Sequence, residues 1–242
     1  MIPFKDNVPR LGPPIAVTAI IAANVLVFLL QLGLDQYGQF RTMHLFGVVP
    51  LRIFHPELAK QMGYPAMSVI PFFTYMFLHG GWLHIILNMW MLWIFGDNIE
   101  DVTGHGGFVV FYVLCGLAAL GLHVLAEPNS TAPVVGASGA IGGVMGAYML
   151  LYPHGRVLTF IPLFFIPLIV RIPAVLFLGL WFASQFFSGV LAKAGGAGGG
   201  GVAWWAHIGG FAAGLILIKL FQRRGACRYC YNHRSREYER LE

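Results

Sequence analysis

Apolar residues along this chain fall into long blocks, and polar residues collect between them. Six blocks stand out: about Pro14–Leu34, Gly81–Phe95, Gly107–Ala126, Val134–Tyr152, Pro173–Val190 and Val202–Leu220. Most approach the roughly 20 residues that a helix needs to cross a hydrocarbon core. The second is short by that measure and is expected to tilt or to extend toward Glu100. Lipid offers the backbone no hydrogen-bond partners, so a spanning segment must be a helix or belong to a closed barrel. Long apolar runs without period-2 alternation favour helices. The predicted fold class is an all-α membrane protein, a bundle of six transmembrane helices.

The connections are uneven. Residues 35–80 form a long first connection that mixes Pro50, His55, Pro56, Pro65 and Pro71 with apolar stretches such as Val69–Leu78. A loop of that length and apolarity is expected to lie in the membrane interface. Val157–Val170, which contains Pro162 and Pro167 and precedes Arg171, is expected to be a second interfacial connector. Ala194–Gly201 is almost all glycine and reads as a flexible link. No internal repeat is visible, which disfavours a transporter built from duplicated halves.

Composition strengthens the membrane reading. Of 242 residues, 57% are hydrophobic and only 10% charged, against about 25% charged in a soluble domain. The net charge of +5 comes largely from the C-terminal end. Basic residues beside apolar spans signal membrane orientation, and no nucleic-acid partner is expected. With the N-terminus inside, the cytoplasmic side holds eleven Lys and Arg residues and the opposite side only Arg41, Arg52, Lys60 and Lys193. Both termini are therefore expected in the cytoplasm. The expected organisation is an N-terminal segment (1–13), a membrane domain (14–220) and a basic cytoplasmic tail (221–242). Met1–Arg10 lacks a signal-peptide cleavage site, so the first block reads as a retained span. The absence of a transit-peptide pattern points to a prokaryotic inner membrane.

Three cysteines make no disulfide framework. Cys115 lies in an apolar block and reads as a small buried residue. Cys227 and Cys230 form a lone C-x-x-C near His233. That is a metal-binding possibility short of the four ligands usual for structural zinc. No cofactor is expected.

Candidate chemistry comes from four polar residues. Gly136-Ala137-Ser138-Gly139 opens the fourth block. A helix N-terminus presents free N–H groups that can hold a developing negative charge, so Ser138 is a candidate nucleophile. The other reading is a small-residue packing motif with a serine in it. Ala206-His207 lies near the start of the sixth block, where an ionisable side chain is costly and a functional candidate by default. Gly210 and Gly214 follow as a G-x-x-x-G face suited to close packing. If that face meets the fourth block, His207 can take the Ser138 proton as general base. His84 and Asn88 share one helix face at a spacing of four, and two donors aimed at one point suit an oxyanion.

Depth joins these residues. The second, fourth and sixth blocks all enter from the side opposite the termini. His84, Ser138 and His207 would then lie less than about 10 Å below one face, at about 1.5 Å per residue. No carboxylate falls in the block interiors, which argues against a Ser-His-Asp triad and against a carboxylate proton relay. A Ser–His dyad remains.

In these motifs the chain resembles the rhomboid family of intramembrane serine proteases. The family pattern is His-x-x-x-Asn in span two, Gly-x-Ser-Gly in span four and Ala-His in span six. Here those positions are His84–Asn88, Gly136–Gly139 and Ala206-His207, in the same order, over about Thr74–Gly214. Gly96–Asp101, Trp181 and Gln185 belong to the same likeness. The resemblance implies a six-helix rhomboid bundle with a long interfacial loop between helices one and two. It implies Ser138 as nucleophile and His207 as base. His84, Asn88 and the Ser138 N–H would form the oxyanion hole.

Two positions depart from the family. Many members carry Trp-Arg in the first loop where this chain has Ile70-Pro71, and some carry a tyrosine that stacks on the histidine where this chain has Gly142. The expected partners are the lipid bilayer and transmembrane protein substrates. Trp181, Phe182, Gln185 and Phe186 are expected to form a lateral gate beside span two. A non-catalytic rhomboid-like chaperone or scaffold is the alternative. Inactive relatives lack the serine or the histidine, whereas this chain keeps both. A small transporter or channel is disfavoured by the missing carboxylates and repeat.

Overall fold

A computed structural model describes residues 1–66, 68–163, 166–195, 202–223, 229–232, 235 and 237–240. Strand β1 (Ile2–Lys5) precedes helix α1 (Ile15–Leu32). The long first connection contains α2 (Gln36–Phe46), α3 (Pro50–Phe54), α4 (Pro56–Gln61), α5 (Pro71–Thr74) and a 3-10 turn at Tyr75–Phe77. Helices α6 (Trp82–Thr103), α7 (His105–Ala126) and α8 (Ser138–Leu151) follow. Strands β2 (Arg156–Leu163) and β3 (Ile166–Pro173) lead into α9 (Ala174–Ala194) and α10 (Trp204–Phe221). Strands β4 (Tyr229–Asn232) and β5 (Glu237–Arg240) come last.

Each of the six apolar blocks overlaps one helix, from α1 and α6 through α10. Among the described residues α1, α7, α9 and α10 are long and apolar enough to cross a membrane alone. The Pro71–Phe77 segment and α6 make a further candidate, bent by 93°. Exposed Leu26, Leu30, Leu83, Leu125, Leu191 and Leu220 on these helices form the kind of surface that lipid covers. The molecule is a multi-pass helical membrane protein. Helix α8 differs in having only 14 residues, about 21 Å at 1.5 Å per residue. Gly139–Tyr148 are all buried, because α8 is packed among α6, α7 and α10. A helix wrapped by protein is free to stop short of the membrane surface.

Glycines set how closely α8 and α10 approach. A Cβ on Gly210 would lie 1.8 Å from the Gly139 carbonyl oxygen, and one on Gly214 would lie 1.9 Å from that of Gly143. Helix α8 is thus the partner of the Gly210/Gly214 face. Gly142 belongs to the same seam, with space for a Cβ only 3.0 Å from the His207 carbonyl oxygen.

Elsewhere the structure corrects the sequence reading. Val157–Val170 is a β-hairpin: β2 and β3 pair antiparallel from Arg156↔Pro173 to Leu163↔Ile166, and β1 adds to the β2 edge. Its burial alternates, with Val157 and Thr159 inside and Leu158 and Phe160 partly exposed, the period of a strand. Pro162 and Pro167 face each other at the far end of the ladder. The second block follows the expected extension toward Glu100 and runs on to Thr103, so Asp97, Glu100 and Asp101 belong to helix α6. The fourth helix begins at Ser138, not Val134. Val134 instead bridges Val48 in antiparallel fashion, and Gly136 has φ of 117°, a conformation that favours glycine.

The end of the bundle away from Ser138 is tied by polar contacts. Glu100 accepts hydrogen bonds from the N–H groups of Ala16 and Val17, both at 2.8 Å. It thereby satisfies the first turn of α1, which has no side-chain cap of its own. Asp101 accepts from the N–H of Leu11 and Gly12, and the Tyr148 hydroxyl donates to Asp6. Burial pushes the Asp6 carboxyl up to about 6, against the pull of that hydroxyl. The tail also docks here: Tyr238 packs on Tyr152, and Tyr231 stacks on His154. The glycine-rich link from 196 to 201, and the side chains of Cys227, Cys230 and His233, lie outside the described residues.

Candidate active site

Two backbone contacts deliver Ser138. The Gly136 N–H donates to the Tyr75 carbonyl oxygen at 2.8 Å, and Val134 exchanges two bonds with Val48. The first connection therefore holds the extended segment that leads into α8. That connection is itself built around Arg52, which is 4% exposed. Its guanidinium donates to the carbonyls of His44 and Pro65 and lies 5.2 Å from the Tyr64 ring centroid. A buried arginine from α3 thus organises a loop that lacks the family's Trp-Arg pair.

Helices α8 and α10 bring the two leading candidates together. His207 Nε2 is 2.8 Å from Ser138 Oγ. The closeness follows from the glycine seam, since larger residues at 210 or 214 would push α10 off α8. His207 Nδ1 lies 2.7 Å from the Gln185 side-chain oxygen on α9. Two rings frame the imidazole: Trp181 at 5.9 Å between centroids and 36°, and Trp204 edge-on at 6.3 Å. At the position in span four where the resemblance leads one to expect a stacked tyrosine this chain has Gly142, and the ring contacts come from α9 and from the first turn of α10.

His84 and Asn88 face the same place from α6. The Gly80 N–H donates to His84 Nδ1 at 3.3 Å, which leaves the proton on Nε2. A Cβ on Gly136 would lie 2.7 Å from that Nε2 and 3.7 Å from Asn88 Nδ2. Both side chains thus reach the backbone just before Ser138. Asn88 is 6% exposed and its amide nitrogen has no protein partner. Asn88 borders the cavity, so its amide is available to a group that enters it. Ser138 is the first residue of α8, so its N–H has no intrahelical acceptor.

These groups line one cavity of about 940 Å³, which Met91, His123, Trp181 and Gln185 also border. It lies between α6 and α9, and the two helices meet further from Ser138 through Phe95 and Phe177, 6.3 Å apart. Of the four residues expected at a gate, Trp181 and Phe182 pack on Phe211 of α10. Phe186 is exposed on the outer surface of α9 beside Phe187. Gln185 turns inward to His207, a contact that sequence reasoning missed. The Trp181-x-x-x-Gln185 spacing is the signal that places both on one face. His123 was also missed, being one polar residue in an otherwise apolar helix. No group of three or more His, Cys, Asp or Glu able to hold a metal occurs among the described residues.

The fold and site define a polytopic helical membrane protein with a serine hydrogen-bonded to a histidine in a cavity. A family model described as Rhomboid domain matches residues 66–224, and the chain belongs to the rhomboid family. It is 32% identical over 153 residues to the human presenilin-associated rhomboid-like protein, mitochondrial, covering 61% of this chain and 36% of that protein. It is 34% identical over 89 residues to Rhomboid protein 1, mitochondrial, of Saccharomyces cerevisiae, covering 35% and 26%. It is 29% identical over 129 residues to Rhomboid-like protein 11, chloroplastic, of Arabidopsis thaliana, covering 53% and 42%. The matched regions span about a quarter to two fifths of these relatives.

Proposed function

We propose that this protein is an intramembrane serine endopeptidase that hydrolyses peptide bonds in or near transmembrane segments of other membrane proteins. The observation that carries the reading is the 2.8 Å contact between His207 Nε2 and Ser138 Oγ in the cavity wall. Ser138 Oγ attacks the scissile carbonyl carbon while His207 Nε2 takes its proton. The carbonyl oxygen becomes an oxyanion, held by Asn88 Nδ2, His84 Nε2–H and the Ser138 N–H. Collapse of the tetrahedral intermediate breaks the C–N bond, and His207 returns the proton to the leaving amine. Water from the cavity then attacks the acyl-enzyme by the same route.

A helical client hides its carbonyls in hydrogen bonds, so it must unwind locally to be cut. Glycine or proline near the cut favours unwinding, and the confined surroundings of Gly136 and Gly139 favour small residues before it. Clients enter between α6 and α9, with Trp181, Phe182, Gln185 and Phe186 on the moving side.

The protein sits in a prokaryotic inner membrane with residues 1–13 and 221–242 in the cytoplasm. The pairing of β1 with β2 and the packing of Tyr238 on Tyr152 support a common side for the two terminal segments, and the Lys/Arg distribution favours the cytoplasm for it. Lys193→Cys should react with an impermeant maleimide in intact cells lacking Cys227 and Cys230, and Arg234→Cys should not. The activity is tested with a fluorophosphonate probe and a transmembrane reporter. Labelling and cleavage that both vanish in Ser138→Ala support the protease. A folded wild-type protein that binds the reporter, neither labels nor cuts, and is unchanged by Ser138→Ala is a scaffold instead.

A further inference from the structure

His207 has two ring nitrogens, and only one can serve Ser138. For Nε2 to accept the serine proton, the ring's own proton must sit on Nδ1 and must have an acceptor. Serine hydrolases commonly use a carboxylate for this. Here the atom beside Nδ1 is the Gln185 side-chain oxygen, at 2.7 Å.

An amide can present either its oxygen or its nitrogen, so its orientation decides the tautomer. Neighbours on α9 settle that orientation. The Ser184 hydroxyl donates its hydrogen to the Trp181 carbonyl oxygen at 2.6 Å. It can then only accept from Gln185 Nε2, 3.1 Å away. With Nε2 engaged there, Oε1 faces His207 and accepts the Nδ1 proton.

We propose that Gln185 is the positioning residue for His207, standing where a carboxylate stands in a triad. It selects the tautomer with Nε2 free and stabilises, by its amide dipole, the imidazolium formed during acyl transfer. The same helix carries Trp181, which packs beside the ring, so α9 both borders client entry and sets the base. The inference rests on the reading of Ser138 as nucleophile and His207 as base.

Steady-state cleavage of a transmembrane reporter by purified full-length protein tests it. Gln185→Leu keeps the bulk and loses the acceptor, and should lower kcat about 10–100-fold with KM within twofold and an unchanged thermal midpoint. Gln185→Glu restores an acceptor and adds charge. It should recover most of kcat and shift the acid limb of the pH–kcat/KM profile, because a carboxylate holds the imidazolium more tightly. The limb should move upward by about one pH unit. His84 and His123 are the other ring bases bordering the cavity and Glu127 its carboxylate; all are unaltered in both variants, so the shift reports the introduced charge. Variants both within twofold of wild type with unshifted profiles would overturn the inference. So would a loss in Gln185→Leu that Gln185→Glu does not recover. His207→Ala separates this from the underlying reading. If it still turns over, the base assignment fails, and if it is inactive while Gln185→Leu is normal, only the role of Gln185 fails.

Discussion

The two ends of helix α6 hold their polar residues in different surroundings. At one end His84 and Asn88 face a cavity, and the Asn88 amide nitrogen is buried without a protein partner. About 16 residues on, near 24 Å at 1.5 Å per residue, Glu100 and Asp101 are saturated by four backbone N–H groups of the segment entering α1. Paired groups hold the chain together. A donor that borders a cavity stays available to whatever enters it. The difference does not follow residue type, since a carboxylate near a membrane helix is the usual functional suspect and here both carboxylates are paired.

The contrast is broken if mutations at the two ends act alike. The largest expected effect is at the serine. Ser138→Ala and His207→Ala should each lower turnover by about 10⁴-fold or more, with thermal unfolding within a few degrees of wild type. Next, Asn88→Ala should lower kcat about 10²–10³-fold while leaving stability unchanged or slightly raised, because it removes a buried donor that lacks an acceptor. A stability loss matching the rate loss would make Asn88 structural.

At the far end the signs reverse. Glu100→Ala leaves the N–H groups of Ala16 and Val17 buried and unpaired. It should cost about 2–4 kcal/mol in denaturant unfolding, with kcat per folded molecule unchanged. The smallest effect sharpens the comparison through pH. Asp6 titrates near 6 in the folded protein because it is buried, above its value of about 3.9 in an unfolded chain. The native state therefore holds more protons between those values, and stability falls as pH rises from about 4 to 6. Asp6→Asn should match wild type at pH 4 and exceed it at pH 7–8 by up to about 3 kcal/mol. An equal gain at both pH values would mean that the carboxyl charge is not responsible.

Several elements were legible from one-dimensional pattern. The long helices were readable because lipid demands both an apolar surface and an internally bonded backbone, and both demands appear in sequence as uninterrupted apolar blocks. The Gly210/Gly214 face announced a close helix contact because only glycine permits one. The hairpin at 156–173 was not legible, since Pro162 and Pro167 masked the alternation of Val157 and Thr159 with their neighbours. The extension of α6 toward Glu100 was one of two expectations for a short block, because three acidic residues also look like the close of a span. In the structure all three lie in the helix, and Glu100 and Asp101 bind the segment entering α1.

What the sequence determined alone was membrane residence, the helical blocks, and the expectation that His84, Ser138 and His207 enter three of them at similar depth, because burial in lipid and helical rise act along the chain. What only the tertiary structure decided was which polar atoms face one another. The 2.8 Å approach of His207 to Ser138 depends on α8 and α10 meeting at the Gly139–Gly210 and Gly143–Gly214 contacts. The Gln185 contact depends on the azimuth of α9, and the idle Asn88 donor on the turn at Gly136. Hydrogen bonds are short and directional, so they depend on relative helix rotation to within an ångström or so, and periodicity carries no record of how one helix is turned against another.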